Sequence, residues 1–169
     1  MANRQVIYEA AFEDYLRSAG IPYVAVDEAK KALFAGVRLK SFDFVVYSKG
    51  GPNLLIDVKG RRFPRGKARG RGHLENWTTE EDLESLARWE EVFGTGFTGL
   101  VVFCYHLEAV EDVPRFEAVH LFRGEYFGLT AVYRSAYAQG CRPRSKAWGT
   151  VSVPAAAFRR MLRPVTEFL

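Results

Sequence analysis

Leu54-Leu55-Ile56-Asp57-Val58-Lys59 is the stretch on which the reading of this chain turns. It is short, apolar and β-branched in part, and it follows the turn-forming run Ser48-Lys49-Gly50-Gly51-Pro52, so it reads as a strand. Side chains alternate along a strand, which puts Leu54, Ile56 and Val58 on one face and projects Asp57 and Lys59 from the other. A carboxylate and an ammonium at the end of so hydrophobic a strand cost several kcal/mol to desolvate unless they are paired or bind a metal. Before the turn, Ser41-Phe42-Asp43-Phe44-Val45-Val46 repeats the oddity with one carboxylate in an apolar run. A hairpin of residues 42–47 and 54–59 brings the two strands about 5 Å apart, and both acids converge if they share a face.

The flanks of this hairpin carry readable elements. Tyr8, Phe12, Tyr15, Leu16 and Ala19 form one helical stripe over residues 5–19, ended by Gly20 and Pro22. Arg61 to Gly72 reads as a glycine-rich basic loop. Val58 to Leu74 holds seven Lys or Arg and no Asp or Glu, and the sign reverses from Glu75 to Glu91. Thr78-Thr79-Glu80-Glu81 has the form of a capping box opening a helix through Leu83, Leu86, Trp89 and Phe93, closed by Gly94. Leu100 to Tyr105 is an unbroken apolar run expected of a strand covered on both faces. A second hairpin is expected from Phe116–Phe122 and Tyr126–Val132 around Arg123-Gly124-Glu125, then a strand near Trp148 to Val153 and a helix from Pro154 to Leu162. With no repeat or linker, residues 1–169 are expected to form a single α/β domain, a mixed sheet flanked by helices, with a core over about residues 5–105 and a C-terminal extension over about 106–169.

Two carboxylates with a lysine suit phosphodiester cleavage. Hard oxygen ligands hold Mg²⁺ or Mn²⁺, which offsets phosphate charge and lowers the pKa of a bound water. An ammonium orients that water or offsets charge on the phosphorane. The Asp43 and Asp57-Val58-Lys59 set resembles the signature of the PD-(D/E)XK nuclease superfamily, whose restriction-endonuclease-like αβββαβ core matches the element order read for residues 5–105. In Holliday-junction-resolvase-like branches the first helix supplies a glutamate, which Glu9 matches by position. Glu9 lies about 75° from the centre of the apolar stripe and Glu13 about 115°. The resemblance implies that Asp43, Asp57, the Val58 carbonyl and Glu9 serve the metal, that Lys59 assists the attacking water, and that the substrate is DNA, with RNA left open. Asp57 takes the shorter of the two acids that the signature allows.

The tripeptide alone is weak evidence, because Asp/Glu-x-Lys arises about once by chance in such a chain. Glu28-Ala29-Lys30 is a second instance, set among solvated charges. Structural ion pairs among Asp43, Asp57, Lys59 and nearby arginines are the bland alternative. Arg61, Arg62, Arg65, Lys67, Arg69 and Arg71 follow Lys59 and are candidates to grip phosphates, which dominate nucleic-acid affinity; a solvated loop is the alternative. Arg134, Arg142, Arg144 and Lys146 are a second basic group with the same two readings. Trp77, Trp89 and Trp148 read as core or loop anchors before stacking platforms, and the glutamates near Glu81 as a solvated face.

At 169 residues, 48% hydrophobic and 14% aromatic, the chain is long and apolar enough for a real core and is not disordered. The net charge of +4 permits a polyanionic partner without demanding one. Cys104 and Cys141 cannot build a disulfide framework, and no apolar run of about 18 residues exists to span a membrane; a cytoplasmic protein is expected, with room for a homodimer. His73, His106 and His120 have no metal-ligand spacing. Two rival functions stand beside the Mg²⁺-dependent nuclease: a non-catalytic nucleic-acid-binding module on the same fold, and a protein-interaction domain.

Overall fold

The computed structural model describes residues 4–27, 32–34, 36–63 and 73–169. Helix α1 (Arg4–Ser18) ends in a Schellman turn: the Gly20 N–H donates to the Arg17 carbonyl and the Ile21 N–H to Leu16, with Gly20 at φ +66°. Three short strands follow, β1 (Tyr23–Ala25), β2 (Ala32–Phe34) and β3 (Val37–Leu39), then the expected hairpin of β4 (Phe44–Val46) and β5 (Asn53–Phe63). The two-residue β6 (Thr78–Thr79) leads into α2 (Glu80–Phe93), and β7 (Phe97–Leu107) returns parallel to β5. A second hairpin, β8 (Val119–Phe122) and β9 (Glu125–Tyr133), turns through Arg123 and Gly124 at φ +50° and +79°, as a two-residue hairpin loop requires. The chain closes with α3 (Arg134–Gly140), β10 (Arg142–Ser145), β11 (Thr150–Ser152), α4 (Ala155–Met161) and β12 (Arg163–Pro164).

The main sheet runs β1-β4-β5-β7-β9-β12, with β8 paired to β9; β10, β11 and β6 form a second, small sheet. β1, β4 and β5 are a three-stranded antiparallel meander, and the α2 crossover makes β5 and β7 parallel. The residues after 106, read from the sequence as an extension, join the main sheet. β9 pairs along most of β7 and β12 pairs with β9, so that segment completes the sheet.

Two hydrophobic layers cover the sheet. On one face Ala11, Phe12 and Leu16 of α1 pack on Leu54, Ile56 and Val58 of β5 and Leu100, Val102 and Cys104 of β7. On the other, Leu83 and Leu86 of α2, Tyr137 of α3 and Phe158 of α4 pack on Leu55, Phe63, Val101, Phe103 and Tyr105. Leu54, Leu55, Ile56 and Val58 are wholly buried, each stabilising the fold by roughly 1.5–3 kcal/mol. Along the second face of β5 the series runs Leu55, Asp57, Lys59, Arg61, Phe63. Three charged positions interrupt an apolar row, and they set the site.

The N-cap of α2 lies one residue later than the sequence pattern suggested. Thr79 is the N-cap, accepting from the Asp82 N–H at 3.1 Å, because Thr78 is held in β6 opposite Val151. Gly94 closes α2 at φ +81° as expected.

Candidate active site

β4 stops at Phe44 while β5 runs on to Phe63, and that mismatch builds the site. Phe44 pairs with Ile56, and the Asp43 N–H still donates to the Ile56 carbonyl at 2.9 Å. Beyond it the chain turns away, and the Val58 N–H would lose its strand partner. The Asp43 carboxylate accepts that N–H instead, at 2.5 Å, and is only 7% exposed. A main-chain donor buried without a partner costs about as much as a lost hydrogen bond, so Asp43 is held at the open edge of β5.

Asp57 follows Ile56 on β5, and its carboxylate meets the Lys59 ammonium at 2.8 Å. Lys59 also meets Asp82, in the first turn of α2, at 2.8 Å. Lys40 reaches the other Asp82 oxygen at 2.6 Å. Glu9, Lys40, Ser41, Asp43, Asp57, Lys59, Arg61, Trp77, Thr78 and Asp82 line one open cleft of about 430 Å³.

Burial pushes the Asp57 carboxyl above its ordinary range, and the neighbouring Lys59 ammonium does not undo this. Burial works against the Lys59 ammonium too, but Asp57 and Asp82 together outweigh it and raise its pKa; Lys59 is a fixed cation across the working pH range. At Asp82 burial pulls upward, yet Lys59 and Lys40 prevail and hold the carboxyl down at about 2.

The structure thus brings Asp43, Asp57, Lys59 and Glu9 to one cleft. Arg61 and Arg62 are strand residues, which corrects their reading as part of a loop: charged side chains erased the apolar alternation that marks a strand. Arg61 is 8% exposed, with its guanidinium 4.0 Å from the Trp77 ring centroid and donating to the Gly60 and Trp77 carbonyls. Arg62 pairs with Glu108 at 2.5 Å. Arg65, Lys67, Arg69 and Arg71, like Glu28-Ala29-Lys30, lie outside the described residues.

Asp82 and Lys40 escaped the sequence reading. The first turn of α2 looked like a solvated face, and Glu80 and Glu81 are indeed exposed. The available signal was that Asp82 is the third residue of the helix, held over its own N-cap. Among the described residues no group of three or more His, Cys, Asp or Glu is arranged to hold a metal by itself. The oxygen donors of the cleft still suit Mg²⁺, which commonly takes one or two carboxylates and fills its remaining positions with water and substrate phosphate.

No protein-family model matches the chain, and no curated protein matches it. Among solved structures, Hjc, a Holliday junction resolvase from the archaeal hyperthermophile Archaeoglobus fulgidus, aligns with a TM-score of 0.56 at 13% identity, over 96% of this chain and 98% of that chain. This chain has the restriction-endonuclease-like fold. At 13% identity the likeness is one of architecture. Within this fold, the residues singled out by the sequence signature, Asp43, Asp57 and Lys59, line a common cleft at the β4–β5 divergence. Among the described residues no helix is long and apolar enough to cross a membrane.

Proposed function

We propose that this chain is a divalent-metal-dependent nuclease that hydrolyses phosphodiester bonds of DNA. The observation that carries the reading is the shared cleft: two carboxylates and an ammonium meet where one strand outruns its neighbour. Structural ion pairing accounts for the contacts among Asp57, Lys59, Asp82 and Lys40 but not for Asp43 and Glu9 in the same cleft, and burial still holds the Asp57 carboxyl raised beside Lys59. An under-compensated buried carboxylate favours the arrival of another cation.

Asp43, Asp57 and the Val58 carbonyl are the residues that would hold Mg²⁺ or Mn²⁺, with Glu9 a further oxygen donor in the same cleft. The Val58 N–H faces Asp43, and in an extended strand a residue's carbonyl lies on the same side as its N–H, toward the cleft. The ion, when bound, neutralises phosphate charge and lowers the pKa of a coordinated water. Lys59 acts as a donor and a positive charge, orienting the attacking water and offsetting charge that builds on the phosphorane. Its two carboxylate neighbours favour the protonated form. Asp82 is a positioning residue that aims Lys59 from the far side.

With Mg²⁺ or Mn²⁺, the purified protein is expected to cut DNA. Asp57→Asn and Lys59→Ala should each lower the rate by at least about 100-fold, with circular dichroism unchanged. Asp57→Asn should also raise Tm or leave it unchanged, because it removes a carboxylate that burial disfavours. Cutting by both variants at the parent rate would remove the nuclease reading. The 2.8 Å closure of Lys59 on Asp57 is what favours the second reading, a non-catalytic DNA-binding module. That reading requires salt-sensitive binding with no cutting by the parent in either metal.

A further inference from the structure

From Tyr126 to Thr166 the chain holds seven Lys or Arg and no Asp or Glu. Three of these, Arg142, Arg144 and Lys146, are exposed on or beside the β10–β11 hairpin. None of the three forms an ion pair with an acid among the described residues. Trp148 stands in the same hairpin turn and is 80% exposed, the most exposed large hydrophobic side chain described, which corrects its reading as an anchor. Trp89, by contrast, packs on Phe42 and donates to the Lys40 carbonyl.

The hairpin is fastened directly to the rim of the cleft. β11 pairs with β6, placing Thr150 opposite Thr79 and Val151 opposite Thr78, and the Glu80 N–H donates to the Gly149 carbonyl at 2.9 Å. Arg144 lies 5.5 Å from the ring centroid of Trp77, whose other neighbour is Arg61. A cationic, aromatic-tipped ribbon therefore runs from solvent to residues that line the cleft.

We propose that the β10–β11 hairpin is a substrate arm: Trp148 stacks on a base that is out of the double helix, while Arg142, Arg144 and Lys146 hold the neighbouring phosphates. Three exposed cations in a stretch of chain that carries no acid match a polyanion, although Glu80 and Glu75 lie on the cleft side of the arm, and an exposed indole matches the π-face that any unstacked base presents and a continuous duplex hides. The substrate class is DNA with unpaired or openable bases beside the cut. This deepens the nuclease reading and rests on it for the substrate, yet its test is binding without cleavage.

Fluorescence anisotropy in EDTA compares a continuous duplex with the same duplex carrying a few unpaired bases. Trp148→Ala should weaken binding to the unpaired form about 5- to 50-fold and to the duplex less than about twofold, with Trp148→Phe recovering most of the loss. Arg142→Gln with Lys146→Gln should lower the slope of log affinity against log salt by about 1.5. Equal affinities of Trp148→Ala and parent for the unpaired form, or an equal loss on both DNAs, overturns the arm. Cleavage by the parent in Mg²⁺ separates the two ideas. Cutting with Trp148-independent binding removes the arm alone, and Trp148-dependent binding without cutting removes the nuclease alone.

Discussion

Lys59 stands between Asp57 and Asp82 at 2.8 Å from each, and the two acids feel it differently. At Asp57 burial still dominates, whereas Asp82 shares two lysines and sits at about 2. A carboxyl depressed in the folded state contributes stability above its unfolded value near 4, lost as the pH falls from about 4 toward about 2. Asp82→Asn is therefore expected to cost about 1–2 kcal/mol at pH 7 and to flatten the acid limb of the stability curve below pH 4. Urea titrations at stepped pH check this; parallel curves for variant and parent would contradict it. Asp57 and Asp43 were legible because a charge in an apolar strand is anomalous on its face. Asp82 was not, because an acid in the first turn of a helix is ordinary, and only its contact with Lys59 makes it part of the site.

The elements that position the site are α1 and β5, and Gly60 is where they touch. A Cβ at Gly60 would lie 2.0 Å from Cδ2 of the Tyr8 ring, so the glycine lets the first turns of α1 lie against the strand with Glu9 beside the cleft. Gly60→Ala should cost about 1–3 kcal/mol through overpacking and push α1 away. Adding Tyr8→Ala should recover part of that cost, giving a non-additive cycle. Chemical denaturation of the four proteins tests it, and additive losses would show that the contact is not what Gly60 serves. α1, the β4–β5 hairpin, α2, β7 and the β8–β9 hairpin were readable because each is either periodic or bounded by turn residues. β1 and β12 are three and two residues long, and their strand character comes from partners far away in sequence, β4 and β9. The end of β5 was hidden for the opposite reason. Arg61 and Arg62 look like loop residues, although β7 pairs with them throughout.

For the whole molecule, the architecture follows from one inconsistency in the sheet. β5 is covered on both faces and is long, and its antiparallel neighbour β4 is short. The gap so created is where Asp43, Asp57, Lys59 and Arg61 collect. The fold class was readable in the sequence because hydrophobic periodicity and element order are local. That the chain after residue 106 completes the sheet was not, since the β7–β9 register has no local signature.

The nuclease reading requires that gap to take a divalent cation between Asp43 and Asp57. A crystal soaked in Mn²⁺ and measured at the manganese edge tests this directly. The predicted result is an anomalous peak within about 2.0–2.3 Å of oxygens of both carboxylates, lost in Asp57→Asn. Saturating Mn²⁺ with no peak there, in crystals where the cleft is open to solvent, would contradict it.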